Sequence, residues 1–177
     1  MEFRRCLICE ELYLGTERPS RCPHCGSAAE YLVPAAAWVD ENLALGELSP
    51  VSRRNLERAL QLEVDNDVFY GEAREKADTV EFEGVFKYLQ KIEREHASVI
   101  RKILKRDVPP LSAGRPRAVD DTVVNLTTAR RLEIEAIDFY GEAGREAGEE
   151  RVRRVFRALT EVETDHADQE AGFLARS

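Results

Sequence analysis

The sequence predicts a mainly α-helical chain: a four-helix bundle with a long crossover between its second and third helices, preceded by a small four-cysteine metal module. Three observations carry that expectation. All four cysteines fall within the first 25 residues, in two C-x-x-C pairs. The remainder is rich in Ala, Leu, Glu and Arg, with apolar residues recurring at helical spacing. Shifting that helical part by 70 residues superimposes one half on the other without a gap. The expected organisation is a four-cysteine domain at 1–34, a connector at 35–48 and a helical domain at 49–177 built from two repeats.

With 177 residues the chain is long enough to bury a real core. Charged residues make up 34% and the net charge is -8, an acidic, mixed-sign balance that argues against nucleic-acid and anionic-membrane partners. No apolar run approaches membrane-spanning length. The start, "MEFRRCLICE", reaches its first cysteines too early for the apolar region of a signal peptide. The expected location is the cytoplasm, where thiols stay reduced and clustered cysteines more often mean metal than disulfide.

In the first element, Cys6/Cys9 and Cys22/Cys25 form two knuckles whose spacing lets four thiolates converge in a tetrahedron. A module this small does not fold stably on apolar burial alone, so a metal must supply much of its stability. A tetrathiolate suits iron or zinc. His24 reads as an exposed spacer, because four thiolates already complete the shell.

Pro34 closes the module. The connector "AAAWVDENLALGEL" is either a short helix whose Trp38 packs the module onto the body, or a linker. Ser49–Pro50 is a helix start, with Ser at the N-cap and Pro in the first turn. The stripe Leu56, Ala59/Leu60, Tyr70, Ala73, Ala77 then carries one helix for about seven turns. "DTVE" at Asp78–Glu81 reads as an N-cap box opening a second helix, with the stripe Phe82, Val85/Phe86, Leu89, Ile92, Val99/Ile100, Ile103. Residues 107–121, with three prolines, form a loop. Extended, it reaches roughly 50 Å, against about 40 Å for a helix of this length, enough to cross the bundle end to end. A third helix is expected at about 122–146 and a fourth at about 149–174.

The repeat pairs "LEVDNDVFYGEA" (62–73) with "LEIEAIDFYGEA" (132–143), and "VFKYLQKIEREHA" (85–97) with "VFRALTEVETDHA" (155–167). Glu63 thus matches Glu133, Tyr70 matches Tyr140, Glu93 matches Glu163 and His96 matches His166. Glu63 and Glu133 lie on apolar stripes, and each Glu-x-x-His pair projects to one face. Four carboxylates and two imidazoles therefore point into the bundle interior. Unpaired buried carboxylates are very costly, Lys and Arg are sparse on these stripes, and two divalent ions would balance the four glutamates. A lone Glu-x-x-His is usually a solvated pair; two in register, each with an upstream glutamate on an apolar stripe, fit the di-iron carboxylate pattern of ferritin-like bundles. Tyr70 and Tyr140 are either core aromatics with satisfied hydroxyls, or partners of a ligand carboxylate from the opposite half, or local one-electron donors. Glu72 and Glu142 fall on the opposite side of their helices, as surface or inter-helix contacts.

Cys6, Cys9, Gly15, Pro19, "CPHCG" at 22–26 and the aromatics Phe3, Tyr13 and Tyr31 resemble the rubredoxin-like domain of rubrerythrins. The whole chain resembles a rubrerythrin of the reverse type, with that domain ahead of a ferritin-like bundle. The resemblance implies two iron ions in the bundle, each with one His, one terminal Glu (Glu63 or Glu133) and two bridging glutamates (Glu93 and Glu163). It implies one iron, or zinc, on the cysteines, and reduction of hydrogen peroxide, or of dioxygen, to water with electrons from a reductase. A homodimer is implied too, in which the tetrathiolate of one subunit serves the bundle of the other.

There are two departures. The family usually has Gly after the second cysteine, where positive φ lets backbone N–H groups point at sulfur; Glu10 stands there and weighs toward zinc. The family also carries a further ligand glutamate three residues after the third-helix Glu, where this chain has Ala136, with Asn66 as its repeat mate. That absence makes the site similar to ferroxidase centres of bacterioferritin type, so iron oxidation with a structural zinc ribbon is the alternative function.

Overall fold

The computed structural model of the chain describes residues 2–176. Three short strands, β1 (Glu2–Cys6), β2 (Leu12–Gly15) and β3 (Leu32–Pro34), form an antiparallel sheet in the order β2-β1-β3. A four-residue helix, α1 (Glu41–Ala44), follows, and then four long helices: α2 (Pro50–Glu75), α3 (Val80–Leu104), α4 (Thr122–Glu146) and α5 (Glu150–Leu174). The chain is thus mainly helical, a ferritin-like bundle preceded by a small sheet and cysteine cluster. None of the helices is long and apolar enough to cross a membrane.

The helix starts follow capping chemistry. Ser49 Oγ accepts the Ser52 N–H at the head of α2, where Pro50 needs no partner. Asp121 does the same for Val124 at α4. At α3 the cap is Thr79, whose hydroxyl accepts from Phe82 N, one residue later than the Asp78 box predicts. Thr79 lies in the extended region with its Oγ1 over the first turn, so Asp78 is outside the helix.

The connector is more broken than a single helix. Ala35–Ala37 form one 3₁₀ turn, Trp38 is extended, and Asp40 caps α1 by accepting from Asn42 N and Leu43 N. Trp38 stacks under the Arg5 guanidinium of β1, 4.2 Å from the ring centre, so it packs on the small sheet.

Helix α2 packs along α3 and α4 along α5. The crossover from Lys105 to Asp121 runs back along α2 and is pinned to it: Ser112 N–H donates to Asp65 Oδ1 at 3.1 Å, Gln61 Nε2 to the Pro110 carbonyl at 3.1 Å, and Arg115 to Glu72 at 2.6 Å. Two apolar clusters fill the interior. One contains Leu56, Leu60, Ile100, Tyr140, Phe156 and Leu159 together with all four cysteines; the other contains Phe69, Tyr70, Phe86, Leu89 and Leu126. Along every long helix, the predicted ligand glutamates and histidines fall where the two clusters meet.

Candidate metal centres

The four cysteine Sγ atoms lie within 4.8 Å of one another, all buried and none in a disulfide. Cys6 and Cys25 are 3.8 Å apart at sulfur, as are Cys9 and Cys22. A tetrahedron with metal–sulfur bonds of about 2.3 Å has edges of about 3.8 Å, so the cage already has the size a single ion requires. Mutual hydrogen bonding pushes the Cys6 and Cys22 thiols down and those of Cys9 and Cys25 up. These thiols cannot all ionise without a cation among them. His24 contributes nothing to the cage.

Both knuckles close in the same way. Gly26 sits at φ +73° with its N–H on the Cys22 carbonyl at 2.9 Å; Glu10 sits at φ 70° with its N–H on the Cys6 carbonyl at 3.0 Å. Glu10, standing where the family has glycine, takes up the left-handed turn that a glycine would supply. A left-handed non-glycine residue costs roughly 1–2 kcal/mol. The Glu10 side chain compensates, accepting from Asn42 Nδ2 at 2.6 Å and lying 3.5 Å from Arg151 Nη2.

In the bundle, Glu63, Glu93, His96, Glu133, Glu163 and His166 are each 2% exposed or less. They form two overlapping groups, Glu63–Glu93–His96–Glu163 and Glu93–Glu133–Glu163–His166. Glu93 and Glu163 belong to both. His96 Nδ1 lies 3.1 Å from Glu163 and 3.6 Å from Glu63, and His166 Nδ1 lies 3.0 Å from Glu163 and 3.8 Å from Glu133. Both Nδ1 atoms, both Glu163 oxygens and one oxygen each of Glu63, Glu93 and Glu133 are buried without a hydrogen-bond partner. Orphaned polar atoms converging from four helices are what an ion pair would satisfy, so the donor set fits two metal ions.

The charges say the same. Burial, then the charge of Glu163, pushes the Glu93 carboxyl well up, and the same causes push up Glu133. Burial also opposes ionisation of Glu163, but the neighbouring His96 and His166 outweigh it and hold that carboxyl at about 2. Burial alone would lower His96, yet Glu163 and Glu63 hold it above its ordinary value. Without a cation these carboxylates share too little positive charge for all to ionise.

Each tyrosine reaches the opposite half: Tyr70 donates to Glu133, and Tyr140 donates to Glu63 at 2.6 Å. Asn66, at the position repeat-related to Ala136, donates to Glu93 Oε2 at 3.4 Å, while Ala136 is buried and offers no ligand.

Sequence reasoning missed three residues. Glu170 is fully buried, accepts from Tyr70 at 3.0 Å and leaves Oε2 unpartnered; burial pushes its carboxyl up to about 8. Its repeat mate is Ile100, so the repeat hides it, although its position one turn after His166 on the apolar stripe is a usable signal. Tyr88 stands edge-on to His166 with ring centres 6.5 Å apart. Beside it a cavity of about 310 Å³ opens between α3 and α5, lined by Gly84, Val85, Tyr88, His166 and Glu170 among others. The third is Arg151, whose side chain reaches the cysteine module.

The two centres touch. His96 Nε2 is 3.0 Å from the Cys25 carbonyl oxygen, while its Nδ1 faces the carboxylates. Gly26 lies against α5, where an added Cβ would come 3.0 Å from Val162, the neighbour of Glu163. The cysteine cluster thus abuts the bundle site of its own chain.

Compared with known proteins, residues 54–174 match the family model for rubrerythrin. No curated protein and no solved structure matches the chain at a significant level.

Proposed function

The chain belongs to the rubrerythrin family, and from that premise we propose that it is a non-haem di-iron oxidoreductase that reduces hydrogen peroxide to water with electrons passed from a four-cysteine iron in the same chain. The observation that carries this reading is the His96 bridge, one imidazole with Nδ1 among the bundle carboxylates and Nε2 on the backbone of Cys25. A structural zinc ribbon has no need of such a contact. Two ferrous ions held in the bundle would supply two electrons to peroxide, which with two protons yields two waters.

Glu93 and Glu163, shared between the two groups, would serve both ions, while Glu63 with His96 and Glu133 with His166 would each serve one. Tyr140 and Tyr70 fix the terminal carboxylates through hydrogen bonds, each with its phenol held above its ordinary range by burial, so that both stay protonated and donating. The cavity beside His166 is roomy enough for peroxide or dioxygen, and Glu170 at its inner end connects through Tyr70 to Glu133.

A second reading, iron oxidation for storage or detoxification with zinc on the cysteines, is favoured by one observation: the positions that would supply a further ligand carboxylate are Ala136 and Asn66. Anaerobic iron loading, followed by spectra before and after peroxide and then dioxygen, separates the two. Peroxidase action requires that the four-cysteine iron, red when ferric, be oxidised in step with peroxide consumption. A colourless, zinc-filled cysteine site, with dioxygen consumed faster than peroxide, would replace it by the ferroxidase reading.

A further inference from the structure

The module is held to the bundle by its carbonyl oxygens. In the first knuckle the Ile8 N–H turns toward Cys6 Sγ at 3.3 Å and the Cys6 carbonyl takes the Glu10 N–H, while the carbonyls of Leu7, Ile8 and Cys9 accept from the bundle. Arg151, in the first turn of α5 and 5% exposed, collects them: Nη1 donates to the Leu7 carbonyl, Nη2 to that of Ile8 at 2.8 Å, and Nε to Asn42 Oδ1 at 3.1 Å. Glu10 closes the ring through Asn42 and Arg151. Two more cations grip the knuckles nearer the surface, Lys102 on the Cys9 carbonyl at 2.9 Å and Lys91 on that of Pro23 at 3.0 Å.

Burying a guanidinium is costly unless it is hydrogen-bonded, and Nε, Nη1 and Nη2 of Arg151 each find an acceptor here. The repeat does not demand one here, because the residue matching Arg151 is Glu81. Of the two repeat-related positions, only the one on α5, where the first knuckle docks, carries the arginine.

We propose that Arg151 is the positioning residue for electron transfer between the two centres, latching the first knuckle to α5 so that Cys25 stays bonded to His96, and biasing the four-cysteine iron toward its reduced form. This rests on the electron-relay reading above. Four thiolates with ferrous iron carry a double negative charge, and with ferric iron a single one. A nearby fixed cation therefore favours the ferrous state. The step itself is the loss of one electron by the ferrous tetrathiolate, which becomes ferric, to a ferric ion of the bundle, which becomes ferrous.

The test uses the full-length, iron-loaded chain with Arg151→Met and Arg151→Lys. Arg151→Met should shift the ferric–ferrous balance of the four-cysteine iron about tenfold toward ferric, a midpoint roughly 59 mV lower for one electron. Amide exchange at residues 7–10 should rise at least about tenfold, and transfer to the bundle should slow by a similar factor. Arg151→Lys keeps the charge without the fork, so its midpoint should stay near wild type while exchange protection falls. A wild-type midpoint and wild-type exchange in Arg151→Met would overturn the proposal. Should that variant not fold, full exchange protection in Arg151→Lys would overturn it equally. If the wild-type four-cysteine iron passes no electron to the bundle, the relay reading fails by itself, and the exchange and midpoint data still judge the latch.

Discussion

The two halves of the bundle carry the same ligand pattern but present opposite surroundings to it. At one face of the α3–α5 pair, the start of α5 offers Arg151 and Arg154, and the later part of α3 offers His96 and Lys102; the cysteine module and α1 sit on that face. The repeat-related face, made by the start of α3 and the later part of α5, is lined by Glu81, Gly84, Tyr88, His166 and Glu170, and it is an open cavity. Arg151 corresponds to Glu81, Arg154 to Gly84 and His96 to His166. A duplication that made a two-fold site has thus been differentiated around it. One histidine faces the thiolate cluster and the other faces open space, so on the proposed reading electrons would enter at one face and oxidant at the other.

Removing what the halves share should have the largest effect. Glu163→Ala takes a ligand from both groups, and we expect it to abolish bundle metal binding and to lower peroxide turnover at least about 100-fold, with helicity retained. Glu63→Ala and Glu133→Ala each touch one group, so metal analysis should find one bundle ion lost in each. Equal loss of both ions in all three variants would show that the halves do not act as two sites.

Filling the open face comes next. A Cβ at Gly84 meets nothing within 4 Å, so Gly84→Phe should fold and plug the cavity. The reaction of the reduced bundle with peroxide should slow about tenfold, the equivalent of an added barrier of about 1.4 kcal/mol, while the four-cysteine spectrum stays unchanged. An unaltered rate would mean that oxidant enters elsewhere.

The tyrosines differ for the same reason. Tyr70 serves both Glu133 and Glu170, whereas Tyr140 serves Glu63. Each buried acceptor left unpaired costs about 1–3 kcal/mol. In metal-free protein, urea unfolding should show Tyr70→Phe losing roughly 2–3 kcal/mol and Tyr140→Phe about half as much. Equal losses would remove Glu170 from the network.

How much of this was legible in the chain follows from the comparison. What the halves share is written twice, so Glu63, Glu93, His96 and their mates stand out, and in the structure they meet. The cysteine cage was legible because its ligands are close in sequence. What distinguishes the halves is written once. Glu170 faces Ile100 across the repeat and Arg151 faces Glu81, so alignment of the halves discards both. The module's seat was hidden for another reason: Arg151, Lys102 and His96 bind backbone carbonyls, which every residue has, and no side-chain pattern in residues 6–25 announces them. The left-handed turn at Glu10 was not legible because a preference for glycine is local, and the side chain's remote partners decide whether the strain is tolerated.

The shared "FYGEA" offers the mildest test. Glu142 is exposed, but Glu72 fastens the crossover, accepting from Arg115 at 2.6 Å, Arg117 at 3.1 Å and the Ala118 N–H at 3.2 Å. The Arg115 bond, aided by the Ala118 amide and Arg117, holds its carboxyl at about 2 instead of 4.5, against the opposing pull of burial. A carboxyl depressed in the folded state adds stability above its unfolded value near 4.5, and that contribution disappears as pH falls toward about 2. Glu72→Gln should therefore destabilise the chain by about 1–2 kcal/mol at neutral pH, less than the full shift implies because the group is partly exposed, and the gap to wild type should close between pH 4.5 and about 2. Glu142→Gln should stay within about 0.5 kcal/mol throughout. Matching pH profiles for the two variants would mean that the crossover, which exists only between the halves, is not anchored through the repeated glutamate, and that this difference between the repeats has no energetic content.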